Sequence, residues 1–95
     1  MPEIHFQVQW SDGFTATYYS PSTVVKKYFT PNNDYDLQDF VTRSRTALQI
    51  ASDRVKAKYG RPCGLALGQL QEIELKSTEY TSLSQPKVRF IGFIE

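Results

Sequence analysis

The sequence predicts an α+β fold of order β-β-α-α-α-β, a three-stranded, mainly antiparallel sheet packed against a helical layer. Three observations predict it. Ile4, Phe6, Val8 and Trp10 alternate with His5, Gln7 and Gln9 at the period of a half-buried strand. Residues 37–59 repeat apolar side chains at three- and four-residue steps, and the chain closes on a β-branched and aromatic run, Val88 to Ile94.

Taken in order, the first strand ends at Ser11-Asp12-Gly13, where Asp-Gly is a favoured hairpin turn because both central positions reach positive φ. Phe14 to Tyr19 returns as the second strand. Ser20 reads as a helix cap with Pro21 at the first helical position, giving a short helix to about Phe29, before the turn residues Thr30-Pro31-Asn32-Asn33-Asp34. Asp36 is the expected cap of the long helix, whose stripe is Leu37, Phe40, Val41, Leu48, Ala51, Val55 and Tyr59, with Gly60 as its left-handed stop. Pro62 then opens a third helix to about Glu79, burying Ala66, Leu67, Leu70 and Ile73. The final strand alternates less strictly than the first, which implies cover on both faces or a central place in the sheet.

At 95 residues the chain has material for one core, so a single domain over residues 1–95 is expected. Eleven Lys and Arg against ten Asp and Glu leave a formal net charge of +1, too little for whole-molecule steering towards nucleic acid or acidic lipid. No apolar stretch approaches the ~18 residues of a membrane span, and the amino terminus alternates where a signal peptide would carry an apolar block. Cys63 is the sole cysteine, which fits a cytoplasmic setting.

Zinc needs three or four ligands and a nucleophile needs a base, whereas this chain has one His and one Cys, so no metal, cofactor or assembled catalytic set is expected. His5 reads as a solvated strand residue. Cys63, in the first turn of the third helix, reads as a packing residue or, alternatively, as a thiol activated by the helix dipole. Residues 43–61 hold Arg43, Arg45, Arg54, Lys56, Lys58 and Arg61 against Asp53 alone. On a helical wheel Arg43, Arg54 and Lys58 border one side of the apolar stripe and Arg45 and Lys56 the other. Their stems can cover apolar surface, with Asp39 to Arg43 and Asp53 to Lys56 pairing along the helix, or the group can receive an acidic partner. Gly64 and Gly68 imply a close backbone approach, more readily within the chain than from a second subunit. Tyr18, Tyr19 and Tyr28 surround Ser20-Pro21-Ser22, as a roof over core or as a pocket rim.

The segments Tyr19-Ser20-Pro21-Ser22-Thr23-Val24-Val25 and Asp39-Phe40-Val41-Thr42-Arg43-Ser44-Arg45-Thr46-Ala47-Leu48 resemble a family of small bacterial nitrogen-starvation-response proteins. Ile50-Ala51-Ser52-Asp53-Arg54-Val55, Lys58-Tyr59-Gly60, Cys63 and Ala66-Leu67-Gly68-Gln69-Leu70 are similar to the same family, as is Met1-Pro2-Glu3 with Trp10-Ser11-Asp12-Gly13. Gly64 stands where the resemblance implies Ser. The resemblance implies genes lying beside a nitrilase, a radical-SAM enzyme, an acetyltransferase-like protein, an AIR-synthase-like protein and a flavin-dependent oxidoreductase, in a nitrile- or cyanide-assimilation cluster. It transfers no catalytic residue.

The expectation is therefore a non-catalytic accessory or regulatory protein that binds a partner enzyme of that cluster (nitrilase, radical-SAM or flavin enzyme). Its contact residues are Tyr19, Ser20, Ser22, Arg43, Arg45, Arg54 and Lys58. The alternative is a small thiol-dependent enzyme or carrier using Cys63 on a nitrogenous or anionic substrate. Nucleic acid and membrane are disfavoured as partners, and a homodimer stays open.

Overall fold

The structure is a computed structural model that describes residues 3–61 and 63–95. It is α+β, but its antiparallel sheet has four strands where the sequence predicted three, in the order β2-β1-β4-β3: β1 Ile4–Gln9, β2 Thr15–Ser20, β3 Asn33–Asp36 and β4 Lys87–Ile94. Two α-helices, α1 Leu37–Tyr59 and α2 Gly64–Ser77, replace the predicted three, giving β-β-β-α-α-β once 3₁₀ turns are set aside. The first predicted helix is a 3₁₀ turn, Thr23–Lys27, because the run Thr23-Val24-Val25 is β-branched and a single tight turn suffices to bury both valines. Its cap is Ser22, whose Oγ accepts from the Val24 N–H at 3.3 Å, whereas Ser20, the predicted cap, belongs to β2.

β3 occupies residues that read as turn. Asn32, at φ 62°, swings the chain round and donates its N–H to the Phe90 carbonyl at 2.7 Å, so pairing with β4 starts immediately after a left-handed residue. Only Tyr35 of β3 turns toward the core; Asp34 and Asp36 point to the open face and pair across the strands with Arg89 at 3.2 Å and with Lys87. Charge on an edge strand discourages further pairing, which suits its place at one end of the sheet. The β1–β2 turn also differs in detail: Gly13 takes φ 89° while Asp12 keeps negative φ, its carboxylate accepting the Phe14 N–H at 3.0 Å.

The loose alternation of β4 has a definite cause. Val8 faces Phe90 and Gln7 faces Gly92, so Ile91 is an extra residue, a β-bulge. Val88 and Phe90 face inward before it and Phe93 does so after it, and β4 is indeed central. The core between sheet and helices is aromatic: Phe29 stacks on Phe90 (4.7 Å between centroids, 6°), Phe6 on Phe90 (5.8 Å), and Trp10 lies between Phe40, edge-on, and Tyr80, stacked at 5.6 Å.

Helix α1 spans the predicted residues. Asp36 has the cap position but makes no side-chain cap bond; the Leu37 N–H is satisfied by the Pro86 carbonyl at 3.0 Å. Gly60, at φ 84°, closes the helix with its N–H on the Lys56 carbonyl at 2.8 Å. The last buried residue of α1 is Ser52; Val55 is half-buried and Tyr59, predicted on the core stripe, is 62% exposed. The helix thus overruns its own core by about two turns. In α2, Ala66, Leu70 and Ile73 are buried as predicted, Leu67 is half-buried, and a 3₁₀ turn, Thr78–Tyr80, replaces the last helical residues. The start expected at Pro62 lies outside the described residues. A Cβ at Gly64 or Gly68 would meet nothing within 4 Å, so neither glycine serves the predicted close approach inside this chain.

Candidate functional site

The basic residues of α1 divide by what they touch. Arg54 donates to Ser22 Oγ at 3.1 Å, and Arg43 donates to the Tyr28 carbonyl at 2.8 Å. Eleven residues apart, the two share one flank of α1 and hold the 3₁₀ segment at its start and its end. Arg43 also pairs with Asp39 at 3.0 Å, as predicted, and lies over the Tyr35 ring at 5.1 Å. Arg45, on the other flank, pairs with Glu74 of α2 at 2.9 Å. The predicted Asp53–Lys56 pair is not formed, since Asp53 accepts from Gln49 at 3.2 Å. Lys58 lies 5.4 Å from the Tyr59 ring centre at the far end of the helix.

Ser20 and Ser22 are buried, and the Ser20 hydroxyl donates to the Ser22 carbonyl at 2.7 Å, shaping the crossing from β2 into the 3₁₀ turn. Tyr19 faces the other way, onto the open side of the sheet, where its ring meets His5 at 5.5 Å; its N–H donates to Gln69 Oε1 of α2 at 2.9 Å. Burial raises the Tyr19 phenol above its usual value, with smaller contributions from Glu3 and Cys63. Cys63 is half-buried at the N-cap of α2 and donates its N–H to Ser52 Oγ at 3.2 Å. Tyr18 and Tyr28 go to the core side, Tyr18 accepting from Trp10 Nε1 at 3.2 Å. The three tyrosines therefore do not rim one pocket.

A second polar cluster lies under the α2 end. Tyr80 is 3% exposed and its hydroxyl finds no hydrogen-bond geometry, although Asp12 and Lys76 lie near enough to affect its titration. Burial raises the phenols of Tyr80 and Tyr18, while the Phe14 N–H holds the Asp12 carboxyl below its usual value. Two clefts of about 500 and 590 Å³ flank the 81–87 connection, lined among others by Trp10, Arg89, Gln85 and Pro86, and by Leu37, Gln38 and Thr81. None of the contact residues expected from the sequence, nor His5 or Cys63, lines either one.

What sequence reasoning missed is the junction of the two helices. Tyr59 is 62% and Leu65 69% exposed, and Arg54, Lys56, Lys58 and Arg61 are all exposed there. The cations were visible as a run; the exposure of Tyr59 was not, since its spacing continues the core stripe. Among the described residues no group of three or more His, Cys, Asp or Glu could hold a metal ion, and no helix is long and apolar enough to cross a membrane.

A protein-family model described as "Nitrogen starvation-induced protein NitG" matches residues 5–93. No curated protein and no solved structure matches the chain.

Proposed function

Because the chain belongs to that family of nitrogen starvation-induced proteins, we propose that it is a non-catalytic accessory protein of the starvation response that acts by binding a partner enzyme. The observation that carries this reading is the division of its functional groups. Arg43, Arg45 and Arg54 are engaged in holding the fold, Ser20 and Ser22 are buried in a turn, Tyr19 is half-buried against His5, and Lys58 is left exposed at the end of α1. Recognition through exposed side chains asks for no paired nucleophile and base. An enzyme of a nitrile-assimilation cluster, a nitrilase, radical-SAM or flavin enzyme, is the partner class that fits the resemblance. Co-purification of tagged protein from nitrogen-starved cells tests it: recovery of a cluster enzyme at low salt is the expected result, and recovery of none overturns it.

A second reading rests on one position. Cys63 is half-buried at the N-cap of α2, where a helix N-terminus favours the thiolate, so a thiol-dependent carrier or enzyme is the alternative. Full growth of a Cys63→Ala strain on the relevant nitrogen source excludes it.

A further inference from the structure

The cations of this chain are unevenly satisfied. Six of the eleven form ion pairs with carboxylates: Lys26–Glu95, Arg43–Asp39, Arg45–Glu74, Lys76–Glu79, Lys87–Asp36 and Arg89–Asp34. Of the five that do not, among the described residues, four fall between positions 54 and 61: Arg54, Lys56, Lys58 and Arg61. All four follow the last buried residue of α1; Arg54 gives one donor to Ser22 Oγ, and Asp53, the carboxylate among them, accepts from Gln49 and forms an ion pair with none of them. The first turn of α2, which starts beside them, contains no acidic residue, and its N-cap makes no side-chain bond, so its free N–H groups add potential of the same sign.

Lys56 and Lys58 have an internal role as well, since cations in the last turn of a helix complement its dipole. That role does not reach Arg61, which lies beyond the helix, nor does it explain two large exposed apolar side chains, Tyr59 and Leu65, in the same short stretch of sequence. An exposed Tyr accompanied by Arg is the residue pairing in which recognition surfaces are enriched.

We infer that the α1–α2 junction, with Tyr59 and Leu65 as anchors inside a rim of Arg54, Lys56, Lys58 and Arg61, is the docking surface for an acidic face of a partner protein. This rests on the partner-binding function proposed above and gives it a location and a chemistry. Self-association through the junction is opposed by like charge on both copies. Asp53 within the patch and a net charge of only +1 weaken attraction to a uniformly anionic polymer or bilayer, whereas a protein can place carboxylates against the four cations and an apolar pocket against Tyr59.

A photo-cross-linking amino acid at position 59, or at Thr17 on the open sheet face as the control, is introduced in nitrogen-starved cells. The protein captured is purified and titrated against the full chain. Capture from position 59 is expected, with Lys56→Glu/Lys58→Glu/Arg61→Glu raising Kd by at least about tenfold and Tyr59→Ala by about three- to tenfold, and circular dichroism melts confirming that both variants fold. Capture only from Thr17 overturns the location and leaves partner binding standing; capture from neither position overturns both. An unchanged Kd in the charge-reversed variant overturns the acidic chemistry. So does tighter binding of a 30-nucleotide single-stranded DNA or of phosphatidylglycerol vesicles through the same residues, which assigns the junction to another class of ligand.

Discussion

At the scale of single residues, the informative positions are buried polar atoms without a partner. Ser44 is 1% exposed in the middle of α1 and its Oγ has no hydrogen bond; Tyr80 Oη is in the same condition beneath α2. A buried, unpaired hydroxyl is a cost that no contact offsets, and alanine is the better helix former at position 44. Ser44→Ala and Tyr80→Phe are therefore each expected to leave stability unchanged or raise it by up to about 1 kcal/mol, measured as the urea midpoint; a loss above that size would mean that each hydroxyl has a partner after all. Arg43 stands at the opposite extreme, joining Tyr28, Asp39 and the Tyr35 ring. Arg43→Ala should cost about 1–2 kcal/mol, with Arg43→Lys recovering only part because lysine cannot keep the forked contact. Such residues were legible as a group and not singly: a wheel placed Arg43 and Arg54 on one flank, yet which carbonyl or hydroxyl each would reach depended on the expected short helix being a 3₁₀ turn capped by Ser22 in place of Ser20.

At the scale of elements, what the sequence made readable followed from the strength of local signals. Helix α1 has a full stripe and a left-handed stop, and its bounds were readable to the residue; the predicted stripe failed only at Val55 and Tyr59, because periodicity describes the helix and says nothing of where the sheet beneath it ends. Strand β3 was not readable, since Asn33, Asp34 and Asp36 are turn formers held extended by β4 and by Arg89 and Lys87 across from them. The β4 bulge was readable only as disturbed alternation. Gly60 tests the element whose logic is clearest: at φ 84° an added Cβ meets no neighbour, so Gly60→Ala isolates the backbone term and should cost about 1 kcal/mol in thermal or urea unfolding. If Gly60→Ala and Gly60→Asn unfold alike, the left-handed conformation is not what closes α1, because asparagine tolerates it far better than alanine.

At the scale of the whole molecule, the titrating groups with shifted values lie on both sides of the sheet and act in one direction at high pH. Burial raises the phenols of Tyr18, Tyr19 and Tyr80. A group whose folded value exceeds its unfolded one holds more proton when folded, so its contribution is complete below the unfolded value, about 10 for tyrosine, and is lost as pH climbs through the folded value. Asp12 is shifted down, so its contribution is present above its unfolded value and fades as pH falls below the ordinary carboxylate range. The urea midpoint is accordingly expected to be level from about pH 5 to 9 and to decline beyond pH 10, the decline being shallower in Tyr18→Phe. That variant also removes the acceptor of the Trp10 N–H, lowering stability at every pH, so the slope above pH 10 is the quantity to compare. An alkaline slope identical in the two proteins would place the lost protons elsewhere. Because Tyr18, Trp10, Phe40 and Tyr80 form one continuous aromatic layer between sheet and helices, the same titration reports on the layer that holds α1 and α2 in place. Loss of the tryptophan near-ultraviolet signal should therefore run in step with the fall in midpoint.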